Sequence, residues 1–210
     1  MLFGLQHRRN EYEARGKWIN FTISSTYKNV LLNLNTFIVK LLYLLINKYK
    51  NNVKTLRNMA LQVGDKAPSV LGLNQDGKEI KLADYAGKKV VLYFYPKDNT
   101  PGCTAQACSL RDGFDELQKE GYEIIGVSTD SATSHQKFIS KQNLPFNLIA
   151  DTDKKLSETF GTWGEKSMYG KQYMGMFRTT FLIDKTGTIT RIILPKEVNT
   201  KEHASQILKG

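Results

Sequence analysis

The apolar positions of this chain fall into short runs separated by turn-forming residues. Lys89 to Tyr95 is almost continuously apolar, the pattern of a strand buried on both faces. From Thr104 to Gln118 apolar residues recur at helical spacing, with Ala107, Leu110, Phe114 and Leu117 on one face. Tyr122 to Val127 is a second apolar strand, so the segment reads as a βαβ unit with its two strands parallel. Before it, Ser69 to Leu73 and Glu79 to Leu82 flank Asn74-Gln75-Asp76-Gly77, and Asp-Gly is a strong hairpin signal. After it, Ser134 to Gln142 reads as a helix with Phe138 and Ile139 inward. Phe146 to Ala150 reads as a strand, and Asp153 to Phe160 as a helix capped by Asp151 or Asp153. Gly161 to Met176 has little periodicity and reads as a loop. Arg178 to Asp184 and Thr188 to Leu194 are β-rich runs joined at Lys185-Thr186-Gly187, and Asn199 or Thr200 caps a last helix carrying Ala204, Ile207 and Leu208.

A βαβ unit, alternating helices and strands, an antiparallel hairpin and a closing helix make the plan of a thioredoxin-like α/β/α sandwich with a mixed central sheet. Its reactive position lies where the first strand of the unit turns into its helix. Both cysteines of the chain sit there, in the stretch from Pro96 to Cys108. Thr100 is placed as an N-cap and Pro101 at the first helical position, where its missing N–H costs nothing. Cys103 then falls in the first turn, where the helix dipole and outward-pointing N–H groups stabilise a thiolate. Cys108 is five residues on, about 7.5 Å along the axis and 140° round the helix. An intact helix keeps such a pair beyond the ~7 Å limit for a disulfide. Either Cys108 is a small packed residue, or the helix unwinds.

Charge divides the chain. Residues 1–58 carry a net charge of +8, and residues 59–210 carry 20 Lys/Arg against 18 Asp/Glu. The basic excess belongs to the N-terminal segment, so nucleic-acid binding loses its support. That segment contains one apolar stretch, Val30 to Ile46, which at 17 residues is at the lower limit for a membrane span and is interrupted by Asn33, Asn35 and Lys40. Asn47-Lys48-Tyr49-Lys50 offers no small-residue cleavage site. The expected organisation is a basic, Asn/Lys/Leu-rich extension over residues 1–58, outside the folded domain, and a working domain over 59–210. Met59-Ala60-Leu61 looks like a natural start, with the upstream residues a mis-assigned leader. Two cysteines so close together suit a redox role in a reducing compartment, the cytoplasm.

Pro96-x-x-x-Thr100-x-x-Cys103 resembles the peroxiredoxin signature. Thr100-Pro101-Gly102-Cys103-Thr104-x-x-Ala107-Cys108 resembles the bacterioferritin comigratory protein (peroxiredoxin Q) branch, as does Arg178-Thr179-Thr180-Phe181-Leu182-Ile183-Asp184 further on. The likeness runs from about Val63 to the C-terminus. Gln106 departs from it, standing where the family commonly has an acidic residue. The resemblance implies a thiol peroxidase that reduces hydrogen peroxide and alkyl hydroperoxides. Cys103 would be its peroxidatic residue and Cys108 its resolving one, with the resulting disulfide reduced by thioredoxin or a similar dithiol protein.

Each motif residue also has a physical task. Thr100 Oγ can curl over the sulfur and hydrogen-bond the peroxide, or simply cap the helix. Gly102 permits close approach of backbone donors. Pro96, lacking an N–H, can wall the pocket or simply end the strand. Of the three arginines after residue 58, Arg111 lies about 12 Å along the helix from Cys103 and Arg191 lies within a strand pairing. Arg178 is the expected activating cation. His135 and His203 are expected at the surface. Trp163, Met168, Tyr169, Tyr173 and Met176 could line an entrance, with core and loop packing the expected role. No zinc, haem or flavin is implied, membrane attachment is not expected, and a monomer is. The rival readings are a thioredoxin-type disulfide oxidoreductase, which wants Cys-x-x-Cys where here four residues intervene, and a membrane-tethered sensor or binding module.

Overall fold

The computed structural model describes residues 61–168 and 170–209, together with Tyr43 and Leu45, which are helical and exposed. The chain separates into two units, Met1–Thr55 and Leu56–Gly210, and the fold below is that of the second. The remaining expectations for residues 1–58, including the apolar stretch, lie outside the described residues. So do Tyr169 and the side chain of Met168.

The continuous apolar run forms β3 (Lys89–Phe94), the middle strand of a five-stranded sheet. Its side chains alternate between two cores. Val90, Leu92 and Phe94 pack on one face with Ile125, Val127, Phe160 and Phe181, while Val91, Tyr93 and Tyr95 pack on the other with Leu110, Phe138 and Leu148. Burial on both faces explains why this strand shows no polar alternation. β4 (Tyr122–Ser128) and β5 (Asn147–Ala150) extend the sheet in parallel on one side, and β8 (Thr179–Ile183) and β9 (Ile189–Ile193) extend it on the other. β8 is antiparallel to β3 and β9 antiparallel to β8, so the sheet is mixed, in the order β5-β4-β3-β8-β9. A small hairpin, β1 (Val70–Leu73) with β2 (Glu79–Lys81), turns at Gly77 with φ +73° and lies along β5 through an Asn74–Ile149 bridge. The expected sandwich with helices flanking a mixed sheet is borne out.

The helical segment after β3 differs from its expected form. It is two helices, α1 (Pro101–Asp112) and α2 (Phe114–Lys119), broken at Gly113. The cause is tertiary: a Cβ on Gly113 would lie 2.5 Å from the Ala204 Cβ, so the last helix presses on the chain there. That last helix, α5 (His203–Leu208), starts later than expected, with Glu202 rather than Asn199 or Thr200 at the cap position. α3 (Ala132–Gln142) is capped by the Ser131 hydroxyl, which accepts from Ser134 N, and ends at Asn143 in the left-handed region with φ +52°. α4 (Lys155–Thr159) is held by Asp151, whose carboxylate accepts from the backbone N of Leu156 and Ser157.

Gly161 to Met176 is not a loop. It contains β6 (Trp163–Met168) and β7 (Lys171–Met176), an antiparallel hairpin. Its two opposed glycines, Gly164 and Gly175, break the alternation that would have announced it. Of the suggested entrance residues, Met176 is buried in the core, whereas Tyr173 is exposed.

Candidate active site

Cys103 is the third residue of α1 and only 1% exposed. Thr100 occupies the N-cap position with extended dihedrals, and Pro101 begins the helix. The expected side-chain cap is absent, however. The Thr100 hydroxyl donates back into the loop, to the Lys97 carbonyl at 3.1 Å. The first-turn N–H groups around Gly102 and Cys103 lack intrahelical partners by construction, and they point the positive end of the helix at the sulfur. Pro96 is half-buried in the turn that leaves β3.

Arg178 reaches the sulfur because of strand register. Thr179 pairs with Phe94, so the residue before β8 is delivered beside the end of β3, where the loop to Cys103 begins. Its Nη2 donates to Cys103 Sγ at 3.1 Å and its Nη1 to Gln106 Oε1 at 2.6 Å. The planar fork thus grips two residues one helical turn apart. It passes close over Gly102, where an added Cβ would lie in ordinary contact with Nη2 at 3.5 Å. Gln106, marked in the sequence only as a departure from the family, is fully buried and serves as the neutral anchor of the guanidinium. A carboxylate there would form an ion pair with Arg178. Half-buried Lys166 on β6 supports the approach, donating its Nζ to the Met176 carbonyl at 3.0 Å, two residues before Arg178. Burial, and then the charge of Arg178, push its ammonium below the ordinary lysine pKa.

The loop between β3 and α1 is tied down by Asp98, a residue inside the motif whose role was not read from it. Its buried carboxylate accepts from the Tyr95 hydroxyl at 2.7 Å and the Ser134 hydroxyl at 2.7 Å, and pairs with His135 Nδ1 at 2.9 Å. Its backbone N donates to Asp130 Oδ2 at 2.8 Å. Burial alone would raise the Asp98 pKa, but the bonds from His135, Ser134 and Tyr95 outweigh it and hold it below the ordinary value. His135 is therefore not a surface residue. It lies one turn before Phe138 on the inward face of α3, and its Nε2 faces the Ile149 carbonyl at 3.1 Å.

His203 is also buried, contrary to expectation. Gln206 Nε2 is committed to the Glu197 carbonyl, which fixes Gln206 Oε1 as the acceptor for His203 Nδ1 at 3.0 Å. Nε2 then accepts from the Thr180 hydroxyl at 2.8 Å, a neutral imidazole. Burial lowers its pKa to about 4.

Cys108 is half-buried and, like Cys103, a free thiol. Its Sγ donates to Gln142 Oε1 at 3.5 Å. Arg111 is turned away from Cys103, as the spacing indicated, with its guanidinium on Asp112 Oδ1 and on the Gln142 carbonyl. Tyr93 Oη and Gln106 Nε2, buried in the same region, have no hydrogen-bond partner among the described residues. No group of three or more His, Cys, Asp or Glu side chains could hold a metal ion among the described residues, and none of their helices is long and apolar enough to cross a membrane.

Residues 63–192 match the AhpC/TSA family. Peroxiredoxin Bcp of Bacillus subtilis is 46% identical over 151 residues, spanning 72% of this chain and 95% of that protein. Peroxiredoxin Bcp of Escherichia coli is 45% identical over 148 residues, 70% of this chain and 94% of that protein. Among solved structures, peroxiredoxin Q of Xanthomonas campestris superposes with a TM-score of 0.62 at 36% identity, covering 72% of this chain and 95% of its own. A second structure, of the X. campestris bacterioferritin comigratory protein, described for its alkyl peroxide reduction activity, gives 0.62 at 35% identity over 72% and 95%. These relatives do not favour a thioredoxin-type disulfide oxidoreductase. The chain belongs to the AhpC/TSA family and is a peroxiredoxin, a peroxidase that takes peroxide substrates and a thiol reductant.

Proposed function

We propose that this chain reduces hydrogen peroxide and alkyl hydroperoxides with Cys103 as the peroxidatic residue and Cys108 as the resolving one. The observation that carries the reading is the Arg178 fork, with one nitrogen 3.1 Å from Cys103 Sγ and the other fixed on Gln106. The thiolate attacks one peroxide oxygen in line with the O–O bond. An S–O bond forms as the O–O bond breaks, the pair of the broken bond leaves with the departing oxygen, which takes a proton to become water or an alcohol, and Cys103 becomes a sulfenic acid. Negative charge grows on the departing oxygen, so donors fixed beforehand lower the barrier. Arg178 and the first-turn N–H groups of α1 fill that role. Thr100 has its own proton committed to Lys97, which leaves its oxygen lone pairs to accept the O–H of the peroxide. Pro96 brings no competing N–H to the pocket.

The sulfenic acid then condenses with the Cys108 thiol to give a disulfide and water. The five-residue spacing requires α1 to unwind for this. Thioredoxin or a similar dithiol protein returns the disulfide to two thiols. The protein acts as a monomer in the cytoplasm, in antioxidant defence and redox homeostasis, and residues 59–210 suffice for the activity. Intact mass before and after one equivalent of hydrogen peroxide tests this. The expected result is a loss of two hydrogens, identical for the full chain and for residues 59–210. A gain of one or two oxygens with no hydrogen loss would overturn the assignment of Cys108. A fragment 59–210 that neither folds nor reacts would overturn the assignment of the extension.

A further inference from the structure

We infer that Gln142, braced by Arg111, is a positioning residue that clasps the resolving cysteine in its helix and so sets how the oxidised Cys103 divides between disulfide and over-oxidation. The inference rests on the roles proposed above for the two cysteines. Gln142 is the last residue of α3, just before the left-handed Asn143 that ends the helix. It receives two bonds from one face of α1. Cys108 Sγ donates to its side-chain Oε1 at 3.5 Å, and Arg111 Nη1 donates to its backbone carbonyl at 2.7 Å. Cys108 and Arg111 are three residues apart, neighbours on a helix surface. The carbonyl is one of the last-turn acceptors that a helix cannot satisfy internally, so the arginine completes the end of α3 while fixing Gln142 in place. Arg111 is itself held on its other side, with Nε 2.8 Å and Nη2 2.7 Å from Asp112 Oδ1.

Two reactions compete for the sulfenic acid. In one, Cys103–SOH and Cys108–SH give the disulfide and water. In the other, Cys103–SOH and a second hydroperoxide give the sulfinic acid and an alcohol or water, an outcome not readily reversed. The first needs Cys108 to leave its helical position, which breaks the bond to Gln142. The second needs no movement of Cys108. The clasp therefore slows the disulfide and gives over-oxidation time. It touches none of Cys103, Thr100 or Arg178, so it acts on the second step only.

The test uses the full chain with hydrogen peroxide, acid quench and alkylation to count free thiols by mass, and a haem peroxidase as competitor to time the first step. Gln142→Ala removes the acceptor but keeps the carbonyl for Arg111, and alanine is well tolerated in the last turn of a helix. Its disulfide step should be about three- to fivefold faster, the factor that one net hydrogen bond supports. The sulfinic fraction at a fixed peroxide dose should fall correspondingly, with the peroxide step unchanged. Gln142→Glu keeps an acceptor oxygen in place and gives it charge, so its disulfide step should be no faster than the parent's. A Gln142→Ala protein that forms its disulfide at or below the parent rate, with an intact peroxide step, would overturn the clasp alone. A parent protein that forms no disulfide would overturn the clasp together with the role of Cys108.

Discussion

The two ends of α1 are held in different ways. The first turn is tied to the sheet and, through the loop before it, to the start of α3. Asp98 anchors the loop that precedes it, and Arg178, placed by the pairing of β8 with β3, grips Cys103 and Gln106. The far end packs Leu110 against β3, but its inter-element hydrogen bonds go to other helices: Cys108 and Arg111 to α3, and Ser109 to α5, whose Ala204 N donates to Ser109 Oγ at 3.3 Å. Sheet contacts fixed by strand register do not yield singly, whereas one hydrogen bond between helix surfaces can open alone. The difference matches two chemical needs. Attack on a peroxide wants donors that are in place beforehand, and disulfide formation wants a cysteine that can travel.

The largest expected effect separates the two ends by timing. Cys103→Ser should lose all peroxidase activity, because a serine hydroxyl is not ionised at neutral pH. Cys108→Ser should keep its first turnover and then stall as the sulfenic acid, open to sulfinic oxidation. Stopped-flow peroxide consumption against thioredoxin-coupled turnover reads both, and equal loss in the two steps would erase the distinction. Next in size is Arg178→Met, which should slow the peroxide step at least about tenfold, a floor below the about hundred- to thousandfold cost of losing one preorganised donor. Arg178→Lys should recover only part of it, since an ammonium cannot hold Sγ and Gln106 as a planar fork does. An unchanged second-order rate with peroxide would remove Arg178 from the site.

The smallest effect is a pH test of the helix-held end. His203 has a folded pKa of about 4, below the ordinary 6.5 of the unfolded chain. Its contribution to stability is therefore complete above pH 6.5 and is lost as pH falls toward 4, on the order of 3 kcal/mol in all. Asp98 does not interfere in that window, because its depressed pKa delays its loss to below its ordinary 3.8. Denaturant midpoints between pH 7 and 4 should fall, and His203→Gln should flatten the slope. A slope that survives in His203→Gln would assign it to another group.

How much of this was legible depended on whether the cause was local. β3 and the start of α1 follow from an apolar run and a Thr-Pro pair, and both hairpins with Asp-Gly or Thr-Gly turns were visible. The β6–β7 hairpin was not, because it is held by cross-strand pairing around two glycines and presents no alternating face. The break at Gly113 depends on Ala204, about ninety residues away in the chain, which helical periodicity cannot register. The burial of His135 could have been read from its place one turn before Phe138. Its partner Asp98 could not, since nothing local joins a loop after β3 to a helix after β4. Gln106 was seen as a departure, but its use as the neutral seat of Arg178 needed the register of β8.

The pinch at Gly113 also bounds what oxidation can change. Ala204 of the last helix sets its Cβ against that residue, so in the two-cysteine mechanism proposed above the pinch would mark the far limit of unwinding and confine the change to the residues of α1 that precede it. In that mechanism the oxidised protein would differ from the reduced one in this single short segment, which would carry the disulfide. A reductant that recognises the segment as a loop meets its binding site only while there is a bond to cleave. Once both thiols were restored the loop would coil back into a helix, and the surface that held the reductant would disappear. Product release would thereby be built into refolding of α1.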